Sequence, residues 1–372
     1  MRFSILRLAS MAGIAASLAC ASAGGPPAAG RPGGNRNDRS ADSSSAPVVW
    51  PVRTQFHVDL WLHGFAMIQD DTTMVPFFRR GYKAELNDLK RRANVTTLLD
   101  TNREKLRARI ATNPQLVNAQ FVPLYFNSFD ELAQAADLLY RADGNPQAAG
   151  SQQAAQMIQI LTGYFPTQPD RDWLRLFVQS IRDEDARFYR NYWNQIQGER
   201  GDVITQVNNI WQHTYRPRLQ TFLNNTSQRS GEIILSLPLD GEGRTLSTGK
   251  LENSTVVAFP ARTTDAVEAI YVIVHELSGN IVSTAVRDNV TPTDQRMGLA
   301  DRYIAAGTVR AGAILLQKIS PDLVDGYARY YLNSANKPIG SNATASLALA
   351  FPLPTQIRDA IARQIDVVLG GI

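Results

Sequence analysis

Two ionisable residues, His275 and Glu276, stand at the centre of a long apolar stretch of this chain, residues 265–287. The stretch is long enough for a helix, and apolar side chains cover nearly its whole circumference, which predicts a buried helix. Burying a charge costs several kcal/mol unless the group is paired, hydrogen-bonded or bound to a metal ion. The pair is therefore the candidate site of the chain, either as a chemical centre or as two groups that satisfy each other.

The elements on either side of this helix would position the pair. Alternating apolar residues at 233–239 and a β-rich run at 255–259 predict two strands, as an antiparallel pair or a small sheet. Pro238 has no backbone N–H, which predicts an edge position for the first strand. Residues 240–243 read as a turn between the strands, and Thr291-Pro292 predicts the start of a second long helix that ends near residue 317.

Two strands, a helix that carries His-Glu and a second long helix form an order that resembles a gluzincin-type metallopeptidase over roughly residues 230–318. In that family a His-Glu-x-x-His motif brings two imidazoles to one zinc ion, and the glutamate polarises the metal-bound water. An edge strand aligns the substrate. The resemblance implies that His275 is a metal ligand, that Glu276 is the catalytic base and that Asp301 on the second helix is a carboxylate ligand. The position of the second histidine is occupied by Gly279, which has no side chain.

The gap at Gly279 leaves three hypotheses. In the first, the zinc site is lost, no cofactor is bound, and the fold acts as a binding or structural module for a peptide or protein partner. In the second, the chain is an active zinc-dependent peptidase, and a distant residue such as His63 fills the gap. In the third, the chain is an unrelated helical envelope protein in which His275 and Glu276 satisfy each other or bond to neighbours such as Arg287, Arg302, Arg310 or Tyr303. We expect a cleft between the strand edge and the 265–287 helix in the first two cases only.

The rest of the chain predicts a mainly α fold with a small antiparallel β-sheet, an α+β protein with a zincin-like core around helix 265–287. Residues 48–230 read as a helical region, and residues 231–372 as the strand pair plus helices packed against it. Ser128, Ser151 and Asp170 are predicted helix caps. The segment 333–350 reads as a loop.

The N-terminus predicts export. A basic start and a short apolar run form a signal peptide over residues 1–20. Ser17-Leu18-Ala19-Cys20 resembles a bacterial lipobox, and Cys20, the only cysteine of the chain, stands at the lipidation position. Cleavage after Ala23 is the alternative. Residues 21–47 are rich in Gly, Pro and Ser and predict a disordered tether. We expect a cell-envelope protein, either membrane-anchored by a lipid or periplasmic.

Composition and charge limit the other functions. The formal net charge is +4, and the first 47 residues, with five arginines and two aspartates, contribute most of it. The folded part is thus nearly neutral and has no basic stripe with interleaved aromatic residues, so nucleic acid is not an expected partner. The only cysteine, Cys20, precedes the folded part, so the folded part forms no disulfide framework and no cysteine metal site.

Overall fold

The computed structural model describes residues 49–70, 73–247 and 252–370, so the predicted signal peptide, Cys20 and the tether lie outside the described residues. A small sheet and fifteen α-helices make up the described part, which confirms a mainly α fold of the α+β class. The helices are α1 Phe56–Ile68, α2 Tyr82–Arg92, α3 Leu98–Thr112, α4 Phe129–Arg141, α5 Gln152–Tyr164, α6 Gln168–Glu184, α7 Arg190–Glu199, α8 Gly201–Ile210, α9 Arg216–Asn225, α10 Ala266–Asn289, α11 Pro292–Arg296, α12 Ala300–Ile319, α13 Val324–Ser334, α14 Ala343–Ala350 and α15 Thr355–Val368. The strands are β1 Val52–Arg53, β2 Glu232–Ser236, β3 Arg244–Leu246 and β4 Ser254–Ala258.

The sheet is mixed, in the order β1-β2-β4-β3. Strand β2 pairs in parallel with both β1 and β4, and only β3 runs antiparallel to its neighbour β4. The predicted antiparallel pairing of the two long strands is therefore wrong, and so is the edge position of the first. Strand β2 ends at Ser236, so Pro238 lies beyond the ladder and its missing N–H costs no strand pairing. The terminal strand of the sheet that lies beside α10 is β3.

Helix α10 is the buried helix that the sequence predicts. Most of its apolar residues, from Ala266 to Val286, are at most 7% exposed, and it packs against α12, α15 and strand β4. By length and composition, residues 263–289 are the one helical segment of the described chain that could cross a membrane. Most of this segment is covered by the rest of the fold, as expected for the central helix of a core.

Several helix boundaries depend on side-chain caps. Ser128 and Ser151 accept hydrogen bonds from the N–H groups of Glu131 and Ala154, as predicted. Asp170 is not the cap of α6. Thr167 occupies that position, and Asp170 accepts hydrogen bonds from its hydroxyl and N–H, because the two residues form a capping box.

Two other predictions need correction. The helix expected from Thr291 to about residue 317 is broken into α11 and α12, because Gly298 adopts a left-handed backbone conformation with φ of 70°. The loop expected at 333–350 contains α14, for which the side chain of Asn342 caps the N–H of Ala345. The small, polar composition of that segment hides a helix whose Ala343 and Leu347 are buried against the core.

Candidate functional site

Helix α10 holds His275 and Glu276 at the border between the core and a cleft. His275 is 1% exposed, and its ring stacks on that of Tyr331 of α13, with centroids 5.1 Å apart. The Glu276 side chain is 11% exposed. Burial in the helix core and ring stacking together fix the imidazole, so its Nε2 atom points at a defined partner.

That partner is Glu242, which lies in the segment that leads from β2 into β3. Its Oε2 atom lies 3.1 Å from Nε2 of His275, and Oε1 of Glu276 lies 3.7 Å from the same nitrogen. One ligand atom from each of the three residues lies within 4.8 Å of the other two. We call Glu242, His275 and Glu276 the three-residue cluster.

Sequence reasoning missed Glu242 because Gly241-Glu242-Gly243 reads as a turn. The two glycines beside Glu242 are the sequence feature that could have indicated close packing at this position. A Cβ atom at Gly243 would lie 2.2 Å from the carbonyl oxygen of Val256, and one at Gly241 would lie 2.6 Å from Ser334 Oγ. The contact at Gly243 is with backbone, so only glycine permits that close approach, and the acid that precedes it lies beside α10.

Backbone contacts complete the arrangement. The N–H of Gly243 donates to Oε1 of Glu276 over 2.9 Å, and the hydroxyl of Tyr331 donates to the carbonyl oxygen of Gly241 over 3.1 Å. The segment before β3 is thus bound to both α10 and α13. The partners of His275 and Glu276 are therefore Glu242 and Gly243, and not the arginines or Tyr303 that the third hypothesis names. Arg287, for example, is exposed and pairs with Asp288.

The charges in the cluster are coupled. Burial is the largest single effect on the pKa of His275 and lowers it, but the carboxylates of Glu242 and Glu276 together outweigh burial, so that the pKa is raised. Burial raises the pKa of Glu276, and the charge of Glu242 raises it further, against the opposing effects of His275 and the Gly243 N–H. Two carboxylates beside one imidazole therefore favour the uptake of positive charge, either as a proton or as a cation.

A cleft of about 820 Å³ opens beside the cluster. Its walls are β3 with the preceding Gly243, the exposed face of α10 from His275 to Ser283, and the first half of α12. The segments Thr73–Phe77 and Ala350–Pro352 close its ends, the latter at the C-terminus of α14. The cleft that we expected between the strand edge and the helix is present. A second, smaller cavity of about 490 Å³ is lined by Asp240, Glu268 and Tyr330.

The gluzincin ligand set does not fit this site. Gly279 faces the cleft, and a Cβ atom added there would meet no described atom within 4 Å, so nothing in the described chain replaces the missing imidazole at that position. Asp301 lines the same cleft but is exposed at the start of α12 and does not join the three-residue cluster. Of the ligand positions that the resemblance implies, only that of His275 is filled within the cluster.

His63 lies in a different buried cluster. Its two ring nitrogens contact the hydroxyl of Tyr82 at 3.0 Å and Oε1 of Glu184 at 3.1 Å, and its ring stacks on Tyr189. Glu184 also accepts a hydrogen bond from Lys90 over 2.8 Å. Since both nitrogens of His63 are engaged there, the structure excludes it from the cleft, and the hypothesis that it fills the ligand gap is wrong.

Comparison of the chain with known protein families, with characterised proteins and with solved structures finds no match.

Proposed function

We propose that this chain is an exported, lipid-anchored envelope protein that binds an extended peptide segment in the cleft between β3 and α10. The observation that carries this proposal is the position of that cleft. It runs along β3, the terminal strand of the described sheet, and the opposite wall is the central helix. A terminal strand offers unpaired backbone N–H and C=O groups, which an extended peptide can pair with as an added strand.

The cleft has the mixed lining that peptide recognition uses. The lining combines apolar side chains such as Val75, Phe77 and Phe351 with charged ones such as Arg244 and Arg302. Backbone pairing supplies affinity that is tolerant of sequence, while pockets for alternate side chains supply specificity. A partner with an extended, partly apolar segment suits this surface.

The metallopeptidase-like arrangement serves binding here because its zinc ligand set is incomplete. Gly279 supplies no ligand, and Asp301 stands outside the cluster. A zinc site that loses one of its three protein ligands loses much of its affinity. We therefore propose the role of a binding module, for a chain whose order of sequence features resembles that of a gluzincin.

The test of peptide binding uses the full chain treated with EDTA and an equimolar library of random, acetylated octapeptides. Retained peptides are identified by affinity selection, and their affinity is measured by fluorescence anisotropy. Gly279→Trp fills the cleft and should weaken binding at least about 10-fold, equivalent to 1.4 kcal/mol. The matched control is Gly163→Trp, since Gly163 is also helical and also has open space around it. Failure to retain any peptide, or equal binding by both variants, would refute the proposal.

A second candidate function is peptide hydrolysis, and the position of Glu276 favours it. Its carboxylate lines the cleft, and burial raises its pKa, as is common for groups that act as a general acid or base. Cleavage of the selected octapeptides, followed by mass spectrometry, tests this candidate. Activity that Glu276→Gln removes supports it, whereas intact peptides after prolonged incubation with added zinc leave binding as the function.

A further inference from the structure

We infer that Glu242, His275 and Glu276 bind one divalent transition-metal ion, through a ligand set that differs from that of the gluzincins. The inference goes beyond peptide binding, which needs no ion. The family's set uses the positions of Gly279 and Asp301, whereas this set uses a glutamate from the segment before the edge strand. The site is assigned from three side chains that the fold brings together across 33 residues of sequence.

The distances suit a shared ion. Two ligand atoms at about 2.0–2.1 Å from a tetrahedral zinc ion lie about 3.3 Å apart. Nε2 of His275 lies 3.1 Å from Glu242 Oε2 and 3.7 Å from Glu276 Oε1, which brackets that separation. The ligand atoms of Glu242 and Glu276 lie within 4.8 Å of each other, so rotation of the two carboxylates can bring all three atoms around one ion.

The cluster is held in place before any ion binds. Stacking on Tyr331 fixes the ring of His275, and the N–H of Gly243 fixes one oxygen of Glu276. Glu242 stands between Gly241, whose carbonyl oxygen accepts a hydrogen bond from Tyr331, and Gly243, whose N–H donates to Glu276, so both neighbours hold its backbone. Ligands that are oriented by neighbouring groups bind a metal more tightly than mobile ones.

The charge balance also points to a cation. Two carboxylates in one partly buried cluster repel each other unless positive charge lies between them. The nearby guanidinium of Arg244 lies over two aromatic rings. Its Cζ atom is 5.9 Å from the ring centroid of Phe77 and 5.4 Å from that of Phe121. A divalent ion would neutralise both carboxylates while His275 stays neutral.

The donor types select the class of ion. Calcium takes six to eight oxygen ligands, more than this cluster offers. An imidazole with two carboxylates suits zinc and its neighbours among the first-row metals. The cluster borders the cleft, so an ion can enter and keep a coordination position open to it.

The experiment is a titration of the full chain with Co²⁺ and then Zn²⁺. All variants carry Cys20→Ser, because a free thiolate binds both ions. Visible absorption of bound cobalt and its displacement by zinc report the number of sites and their affinity. The expected result is one ion per chain, with affinity reduced at least about 10-fold in both Glu242→Gln and His275→Ala. Circular dichroism confirms that each variant is folded.

Asp301→Asn is the matched control, since Asp301 lines the same cleft outside the cluster. It should bind cobalt as the parent does. The inference is overturned if the parent takes up no ion, if Glu242→Gln binds unchanged, or if Asp301→Asn loses binding as Glu242→Gln does, which would assign the ion to the family's ligand positions. Peptide binding is measured in EDTA, so either proposal can fail while the other stands.

Discussion

At the scale of single residues, position 279 is where the sequence departs from the His-Glu-x-x-His pattern. Residues 275 and 279 lie one turn apart on α10 and both line the cleft, so a side chain at 279 would point to the side of the helix where His275 meets Glu242. The open space around Gly279 means that the difference is one of ligand chemistry and not of blocked volume.

Gly279→His should therefore raise the affinity for zinc. A Cβ atom added at Gly279 meets nothing within 4 Å, and an imidazole at this position adds a ligand beside the three-residue cluster. We expect a gain of at least about 10-fold, which corresponds to 1.4 kcal/mol, measured by competition with a chromophoric zinc chelator. Gly163→His is the control, because it adds an exposed imidazole far along the chain in α5. Equal zinc affinity of the two variants would show that residue 279 does not face the cluster.

The candidate site was predictable in part. The apolar stretch around His275 and Glu276 identified the central residues, because two ionisable groups in a buried helix require partners. Glu242 was not predictable from local pattern, since its role depends on a contact between distant segments. The glycines on either side of it indicate close packing but not against which element.

At the scale of elements, α1 is joined to the sheet by a buried carboxylate. Asp59 is fully buried, and its two oxygens accept hydrogen bonds from the N–H of Leu237 at 3.2 Å and from Nε1 of Trp193 at 2.8 Å. These bonds connect α1, the end of β2 and α7. Burial raises the pKa of Asp59 to about 7, although both hydrogen bonds act to lower it.

The pH dependence of folding should report this group. The pKa of Asp59 is higher in the folded than in the unfolded chain, so the folded state binds the proton more tightly. Its contribution is complete below about pH 4 and is lost as the pH rises through 7, with a full change of roughly 4 kcal/mol. Asp59→Asn should remove this slope from urea unfolding measured between pH 4 and 8, whatever its effect on absolute stability.

Asp70→Asn is the control, because Asp70 is exposed and pairs only with surface cations among the described residues. It should leave the slope between pH 4 and 8 unchanged. Parallel pH profiles for the parent and Asp59→Asn would contradict the buried, protonated state of Asp59.

Helices were more predictable than strands. The buried helix α10 and the caps at Ser128 and Ser151 follow from periodicity and side-chain chemistry within a few residues. Strands β1 and β3 have two and three residues, too short for an alternating pattern, and their pairing depends on distant strands. The edge strand beside the cleft was therefore assigned to the wrong segment, although the presence of a sheet before α10 was correct.

At the scale of the whole molecule, we predict that the cleft lies outside the cytoplasm, on a protein attached to a membrane by a lipid anchor. The lipobox-like sequence and Cys20 belong to the part of the chain that the structure does not describe, so this stays a prediction. Lipidation gives stable membrane attachment when the acyl chains enter the bilayer.

Expression of the full chain in a bacterial host with a lipoprotein pathway tests the anchor. The parent should partition into the detergent phase on Triton X-114 extraction, and Cys20→Ala should move to the aqueous phase or keep its signal peptide. A tagged Ser22→Ala variant serves as control, because it leaves the cysteine in place. An aqueous-phase parent cleaved after Ala23 would contradict lipidation.

Amide hydrogen exchange of the full chain, with and without a peptide selected from the octapeptide library, locates the peptide-binding site. If the peptide adds a strand to the sheet, exchange should slow at residues 243–246 and along the exposed face of α10 near Gly279. Protection confined to residues 264–271 and 326–334, which border the second cavity, would contradict the account and place the binding site there.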